Sequence, residues 1–171
     1  MASTLARTIA LAVVSLAACA PGSPAGQPTA TTLPVATSSI GVPSYLDPSG
    51  SWIDIDLARQ VLDLPEGGRL IAEYPVSTGV MTDPKYATPP GLYQVQSKDQ
   101  GPRESSPGVL VSDVVMFDLG RGYGIHSLPM DSQGTVLDKT VGTPSTAGCV
   151  RVLESGRVFE FAQIGMRIWI H

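Results

Sequence analysis

Charged side chains are almost absent from the start of this chain. Arg7 is the only one in residues 1–46, and the later residues carry the other ten basic and all fifteen acidic side chains. The later part therefore has a net charge of about −5, which argues against the basic face that general nucleic-acid binding needs.

Cysteine and histidine are also scarce, with two of each in the chain. His126 and Cys149 lie close together in sequence, and Arg151 follows two residues later. No group of residues has the number and spacing of ligands that a metal site requires. The reactive side chains therefore concentrate in one stretch, residues 122–152.

Long apolar runs are missing as well. The run at residues 8–16 is shorter than the roughly 20 residues of a membrane span, and with Arg7 before it, it is typical of a signal peptide at residues 1–18. Residues 16–19, Leu-Ala-Ala-Cys, resemble the bacterial lipobox, in which Cys19 is diacylated and becomes the mature N-terminus. The alternative is ordinary secretory cleavage near Ala18. Both readings predict export, the first as a membrane-anchored lipoprotein facing the cell wall or periplasm.

Residues 19–48 are predicted to be a linker. Residues 20–47 hold five prolines and no charge before Asp47, so this segment buries too little apolar surface to fold and stays extended. We expect it to hold a single domain, residues 49–171, away from a membrane. With Cys19 acylated, Cys149 is an unpaired thiol in an exported protein, which is either an intermolecular bridge or a reactive group.

From residue 51 onward, short runs of alternating apolar and polar side chains are typical of half-buried strands. Strands are predicted at 53–57, 60–64, 70–76, 92–97, 109–111, 113–118, 122–127 and 166–170, the second and third as a hairpin. Residues 98–108 are interpreted as a polar loop, and apolar side chains at helical spacing predict one helix within 153–164. Many short strands with one helix indicate a mainly β domain, a barrel or a sandwich.

The segment around Cys149 carries the reactive chemistry. An accessible thiolate is a nucleophile, and a histidine can take its proton and return it to a leaving amine. Gly148 permits a tight turn whose N–H groups stabilise an oxyanion. In an extended segment Arg151 lies on the same side as Cys149, where it lowers the thiol pKa or holds a substrate carboxylate. The alternative is a buried cysteine acting as a small apolar side chain.

Four short motifs follow one another along the chain. Residues 77–79 read Ser-Thr-Gly, 88–93 Thr-Pro-Pro-Gly-Leu-Tyr, 125–127 Ile-His-Ser and 146–151 Thr-Ala-Gly-Cys-Val-Arg. The last matches the pattern Ser/Thr-His-Gly-Cys-hydrophobic-Arg/Asn in five of six positions. In these motifs residues 50–171 resemble the L,D-transpeptidase catalytic domain, the YkuD family of bacterial cell-wall enzymes.

The resemblance implies an L,D-transpeptidase-like β-barrel or sandwich with one short helix after the catalytic cysteine. Cys149 would attack the carbonyl of the third residue of a peptidoglycan stem tetrapeptide and expel the terminal D-Ala, with His126 as the base. The other expected site residues are Ser127 and Gly148, which orient the base and bind the oxyanion together with the Cys149 amide, and the substrate contacts Arg151, Tyr123 and Thr146.

In the second half of the implied reaction, an amine of another stem resolves the thioester and makes a 3→3 cross-link, which serves wall biogenesis and cell shape. If water resolves the thioester, the same site is an L,D-carboxypeptidase. The resemblance implies no metal or organic cofactor. The expected partners are stem peptides and, through the lipid anchor, the membrane; we expect no nucleic acid and a monomer.

The resemblance is incomplete at Ala147, where the family has histidine. This departure keeps a second hypothesis open, a non-catalytic envelope lipoprotein that binds wall peptide. A third, a sortase-like cysteine transpeptidase, is weaker because sortases carry their arginine several residues beyond the cysteine.

Some residues have competing interpretations. Tyr123 leans over the site or packs within its strand, and Thr146 contacts substrate or stabilises its loop through local hydrogen bonds. Asp131 and Asp138 contact an acceptor amine or lie solvated in the loop. His171 is interpreted as a frayed terminal residue.

Overall fold

The computed structural model describes Ser44 and residues 46–171. The predicted signal peptide 1–18, the lipidation site Cys19 and nearly all of the predicted linker 19–48 lie outside the described residues. Within the described part, no helix has the length and apolar character to cross a membrane.

The described residues form eleven strands and one helix. They are β1 (Trp52–Asp56), β2 (Val61–Glu66), β3 (Arg69–Ser77), β4 (Gly91–Gln94), β5 (Ser97–Asp99), β6 (Arg103–Ser106), β7 (Val109–Val111), β8 (Val114–Asp118), β9 (Tyr123–His126), β10 (Val150–Val152), α1 (Ser155–Phe161) and β11 (Arg167–Ile170). Nine strands form one curled sheet in the order β4-β11-β1-β2-β3-β10-β9-β8-β5, and β6 pairs with β7 alone. The mainly β class is confirmed, as a half-barrel.

The alternation read from the sequence decides which side chains enter the core. Ile53 and Ile55 of β1 and Leu62 of β2 are fully buried in one apolar cluster. β1 pairs with β11 in parallel and with β2 in antiparallel register. Since successive strand residues point to opposite faces, the residues between these apolar ones lie on the outer face of the sheet.

The predicted hairpin at residues 60–76 is confirmed, because β2 pairs antiparallel with β3. The prediction of a polar loop at residues 98–108 is wrong. Residues of this segment form the end of β5, which pairs with β8, and β6, which pairs with β7. All four β6 residues are exposed, so this strand has no apolar alternation that the sequence pattern can detect. The strand predicted at 92–97 is divided between β4 and the start of β5.

The helix after Cys149 is present but shorter than the predicted window. Val158 of α1 and Ala162 just after it are buried against the core. The Lys98 ammonium of β5 donates to the carbonyls of Phe159 (2.5 Å) and Ala162 (2.7 Å). A cation at the last helical carbonyls is stabilising, so Lys98 fixes the helix to β5.

The interpretation of His171 as a frayed residue is wrong. Its N–H donates to the Ile55 carbonyl (3.0 Å), and its carbonyl accepts from the Leu57 N–H (2.7 Å). Its Nε2 lies 2.9 Å from Asp54 Oδ1, and its ring stacks on Trp169 at 3.9 Å between centroids. Backbone and side chain together therefore fix His171 to β1.

Candidate active site

Parallel pairing of β9 with β10 places the candidate residues side by side. The register aligns Val150 with Ile125 and Arg151 with His126. Val150 and Ile125 are buried in the core, so the alternation of side chains puts Arg151 and His126 on the opposite face, together with Cys149. The fold thus brings the thiol, the imidazole and the guanidinium of the sequence prediction onto one surface.

The Cys149 thiol is half-buried beside β9. Its Sγ lies 3.8 Å from the Gly122 carbonyl oxygen. Burial raises the pKa of the thiol, and the Gly124 N–H and the charge of Arg103 offset only part of that rise. The thiol is therefore protonated at neutral pH and needs a base to become a nucleophile.

His126 is oriented to act as that base. Its Nδ1 lies 2.7 Å from the Ser127 carbonyl oxygen. Because a carbonyl only accepts, Nδ1 carries the proton and Nε2 keeps its lone pair. Burial lowers the pKa of His126, the bond to Ser127 opposes this, and the charges of Arg151 and Arg103 lower the pKa further. The imidazole is therefore neutral at neutral pH.

Ser127 is itself fixed by its neighbours. Its N–H donates to the Ser112 carbonyl (3.0 Å), and its Oγ accepts from the Ser112 N–H (2.9 Å). The same Oγ donates to the Leu128 carbonyl (3.0 Å). These bonds hold the Ser127 backbone, so the carbonyl that orients His126 has a defined position.

The Thr146 side chain is engaged within the cysteine loop. Its Oγ1 donates to the Cys149 carbonyl (2.6 Å) and accepts from the Gly148 N–H (3.3 Å). Of the two amides expected at the oxyanion, that of Gly148 thus already has a partner. The N–H of Cys149 makes no hydrogen bond among the described residues.

Tyr123 packs directly over Gly148. A Cβ at Gly148 would lie 2.2 Å from the Tyr123 Cζ, and Gly148 has a φ of +112°. Only glycine fits both the conformation and the space. The Tyr123 hydroxyl donates to the Lys85 carbonyl (3.2 Å), so this ring covers the cysteine turn instead of lying free above the site.

Arg151 is buried, with 8% of its surface exposed. Its NH1 lies 2.5 Å from Asp138 Oδ2 and donates to the Thr140 carbonyl (3.3 Å). Its Nε is buried and has no hydrogen-bond partner within the described part of the chain. Asp138 is therefore an ion-pair partner within the protein, whereas Asp131 accepts from the N–H groups of Gln133 and Thr135 in its own turn.

The Ser-Thr-Gly element at the end of β3 supports the loop before Cys149. The Thr78 carbonyl accepts from the N–H groups of Ser145 (2.9 Å) and Thr146 (3.0 Å). The Ser77 hydroxyl donates to the Thr143 carbonyl and contacts the Ser145 hydroxyl. This motif therefore acts as a scaffold for the loop that carries Cys149.

Two cavities flank the Cys149–His126 pair, and both are bounded by the β6–β7 hairpin that the sequence did not predict. The smaller, about 110 Å³, lies toward Gly122 and Met116, with Arg103 at its edge. The larger, about 310 Å³, lies toward Ala147 and Arg151. The Pro107-Gly108 turn was the one sequence signal for this hairpin.

Residues 46–171 contain no cluster of side chains suited to bind a metal ion. No three or more His, Cys, Asp or Glu side chains converge there in a way that would hold a metal ion. The chemistry available at the site is that of the thiol, the imidazole and their backbone donors.

Comparison with known proteins agrees with this geometry. The YkuD family model, described as the L,D-transpeptidase catalytic domain, matches residues 50–170, and no curated protein matches. Similar solved structures include an L,D-transpeptidase from Stackebrandtia nassauensis, with 22% identity, 79% of this chain and 61% of that chain covered, and a TM-score of 0.58. Another is the L,D-transpeptidase from Mycobacterium smegmatis, with 18% identity, 71% and 58% covered, and a TM-score of 0.54.

The catalytic domain of an Enterococcus faecium L,D-transpeptidase is similar over nearly its whole length. It shows 18% identity over 72% of this chain and 98% of that chain, with a TM-score of 0.52. At these sequence identities the structural similarity shows the fold alone. This chain spans about three fifths of the length of the Stackebrandtia and Mycobacterium chains. The family model covers most of the sequence, and the chain therefore belongs to the YkuD family of L,D-transpeptidase catalytic domains.

Proposed function

We propose that this domain is a peptidoglycan L,D-transpeptidase that makes 3→3 cross-links through a Cys149 thioacyl intermediate. The observation that carries the proposal is that Cys149 and His126 line the same two cavities, with His126 Nδ1 bonded to the Ser127 carbonyl so that Nε2 keeps its lone pair. Burial raises the pKa of the thiol and lowers that of the imidazole. This pair performs nucleophilic acyl transfer without needing a preformed ion pair.

In the first step, Cys149 Sγ attacks the carbonyl carbon of the third stem residue. The thiol proton moves to His126 Nε2, and the resulting imidazolium is stabilised through Nδ1–H by the Ser127 carbonyl. When the tetrahedral intermediate collapses, the C–N bond to the terminal D-Ala breaks and His126 returns the proton to the leaving amine. The product is a thioester on Cys149 and free D-Ala.

In the second step, the side-chain amine of another stem attacks the thioester. It gives one proton to His126, the C–S bond breaks, and the proton passes to the departing sulfur. Attack by water in place of the amine gives L,D-carboxypeptidase activity by the same route. Which nucleophile prevails depends on how well the acceptor amine is bound beside Cys149.

The two cavities suit a reaction with two peptide substrates. Both reach Cys149 and His126, one from the Gly122 side and one from the Ala147 side. A donor and an acceptor stem are therefore able to meet at the sulfur from opposite directions. We assign the larger cavity to a carboxylate-bearing part of the substrate, because Arg151 lines it and arginine binds carboxylates through paired N–H groups.

The test is to incubate purified protein with a carbapenem and with a disaccharide tetrapeptide, and to measure intact mass and muropeptide products. We expect a covalent adduct on wild type, none on Cys149→Ser, and a cross-linked dimer with release of D-Ala. If folded wild type forms no adduct with either compound, the enzyme proposal is wrong. Release of D-Ala with no dimer would assign the carboxypeptidase activity instead.

A non-catalytic wall-binding role is the second candidate, and Ala147 is the observation that favours it. Ala147 is exposed and lines the larger cavity, where the family pattern has a histidine. Tetrapeptide binding that persists without acylation, and that Cys149→Ser leaves unchanged, would support this role.

We further propose that the protein is exported and anchored through a lipid on Cys19, and that the domain works as a monomer. The lipobox-like residues 16–19 and the uncharged linker support the anchor. Cys19→Ser should move the protein from the membrane fraction to the soluble exported fraction. An unchanged distribution would contradict the anchor without affecting the enzymatic proposal.

A further inference from the structure

Thr88 lies beneath the cysteine turn, far from it in sequence and outside every role assigned so far. It is fully buried, at 0% exposure. Its Oγ1 accepts from the Gly79 N–H (2.8 Å) and donates to the Gly148 carbonyl (3.0 Å). Because the first bond uses an oxygen lone pair, the hydroxyl proton is free to point at Gly148.

The approach of Thr88 to Gly79 is possible only because residue 79 has no side chain. A Cβ at Gly79 would lie 2.0 Å from the Tyr86 carbonyl oxygen and 2.6 Å from the Thr88 N. These are backbone atoms that have no room to move aside. The Ser-Thr-Gly and Thr-Pro motifs are thus joined to each other, and through Thr88 to the residue before the nucleophile.

The peptide unit between Gly148 and Cys149 has one free group. The Gly148 carbonyl is bonded to Thr88, the Gly148 N–H and the Cys149 carbonyl are both bonded to Thr146, and Tyr123 covers the α-carbon of Gly148. Within this peptide unit the Cys149 N–H has no hydrogen bond to any described residue. It is thus a free backbone donor next to the sulfur.

We propose that Thr88 is a positioning residue that aims the Cys149 N–H at the oxyanion of the acyl-transfer intermediate. In a trans peptide the C=O and the N–H point in opposite directions. By holding the Gly148 oxygen toward the interior, Thr88 turns the Cys149 N–H outward. Preorganised N–H donors of this kind contribute strongly to acyl transfer. This inference rests on the proposed function, because only acyl transfer creates an oxyanion at this point.

Two reactions of the same sulfur separate this role from general support of the fold. Acylation by a carbapenem passes through a tetrahedral oxyanion, whereas alkylation by iodoacetamide displaces iodide and forms none. Thr88→Val removes the hydroxyl and keeps the shape, and Thr88→Ser keeps the hydroxyl as the matched control. We expect Thr88→Val to slow acylation at saturating carbapenem by about 10- to 100-fold, with alkylation of Cys149 within twofold of wild type. Thr88→Ser should acylate close to wild type.

Three results would overturn the inference: an acylation rate of Thr88→Val equal to wild type, an equal loss of acylation and alkylation, or failure of Thr88→Ser to restore acylation. If Thr88→Val does not fold, Thr88→Ala removes the same hydroxyl, and the same separation of the two reactions is expected. If the wild-type protein is alkylated by iodoacetamide but never acylated by the carbapenem, the proposed function itself is contradicted. If wild type and Thr88→Val are acylated at the same rate, only the proposed role of Thr88 is contradicted.

Discussion

Arg151 and Asp138 form an ion pair across the loop that leads from β9 to β10. Their NH1 and Oδ2 atoms are 2.5 Å apart, with 9% of the Arg151 and 40% of the Asp138 side chain exposed. The pair holds Arg151 at the edge of the larger cavity. Asp138 therefore fixes the position of the Arg151 guanidinium.

Asp138→Asn should weaken this arrangement. We expect a loss of about 1–2 kcal/mol in the free energy of unfolding at neutral pH, because a buried guanidinium loses its charge partner on the exposed side. A rise in the apparent KM for tetrapeptide should accompany it. Asp131→Asn is the matched control in the same loop, since the Asp131 carboxylate caps a turn and pairs with no cation among residues 46–171. The KM of this variant should stay at the wild-type value. Equal effects of the two variants would contradict the role of the ion pair.

The same pair has a defined acid dependence. The hydroxyl and N–H of Thr140, and then Arg151, lower the pKa of Asp138 to about 2. A carboxyl whose pKa is lower in the folded state stabilises the protein above its unfolded pKa of about 4 and loses that effect as the pH falls toward about 2. The free energy of unfolding in urea should therefore be higher for wild type than for Asp138→Asn above about pH 4. This difference should shrink as the pH falls below about 4.

His126→Ala should reduce carbapenem acylation by about 10²–10⁴-fold, the usual contribution of a general base. The melting temperature should change little in comparison. His171→Ala is the control, since it removes the chain's other histidine, whose ring pairs with Asp54 on β1; its acylation per folded molecule should equal wild type. Unchanged acylation of His126→Ala would mean that another group removes the thiol proton.

The acylation rate should fall at acid pH with a midpoint below the ordinary histidine value of about 6.5. Burial lowers the pKa of His126, so the imidazole stays a neutral base to a lower pH than usual. Burial also raises the pKa of Cys149, which keeps the thiol and the imidazole both neutral across physiological pH. The rate of adduct formation by mass spectrometry, measured against pH, checks this. An acid midpoint clearly above the ordinary histidine pKa would contradict a neutral base.

Asp63→Asn should stabilise the domain at neutral pH. Asp63 lies opposite Asp54 on β1 and Glu73 on β3. Its Oδ2 lies 3.9 Å from Arg59 NH1, and its Oδ1 is buried without a hydrogen-bond partner among the described residues. Burial, and then the charges of Glu73 and Asp54, raise the pKa of Asp63 to about 6. Its ionised form is therefore unfavourable, and we expect a gain of about 1–2 kcal/mol at neutral pH.

Because the pKa of Asp63 is raised on folding, wild type recovers this stability by protonation as the pH falls from about 7 to about 4. The advantage of Asp63→Asn in urea unfolding should disappear over that range. Glu66→Gln is the control, since Glu66 lies exposed at the end of the same strand; its effect should stay within about 0.5 kcal/mol. A destabilised Asp63→Asn would show that the carboxylate has a favourable role.

Ala147→His, which restores the family residue, should leave the fold intact. Ala147 is exposed at the edge of the larger cavity, and surface substitutions of this kind change stability by about 0.5 kcal/mol or less. The new side chain should narrow the cavity and alter the KM for the acceptor more than the rate of the first acylation. Loss of folding, followed by circular dichroism, would show that this side of the site is built differently from the family.

Much of the fold followed from local pattern. The alternation around Ile53 and Ile55 predicted β1, and the runs on either side of Gly67 predicted the β2–β3 hairpin, because burial of every second side chain leaves a direct trace in the sequence. β6 left no such trace, since all four of its residues are exposed. β6 forms because it pairs with β7, and this pairing is visible only in the folded structure.

By itself the sequence singled out the proposed nucleophile and its proposed base. Cys149 and His126 stand in short motifs whose spacing reflects local strand and turn geometry, and local geometry is encoded within a few residues. Only the tertiary structure decided that Asp138 is the partner of Arg151, that Thr88 holds Gly148, and that the Cys149 N–H stays free. The two contacts join residues 13 and 60 positions apart, and the path of the chain between them, which no local pattern records, determines which donor meets which acceptor.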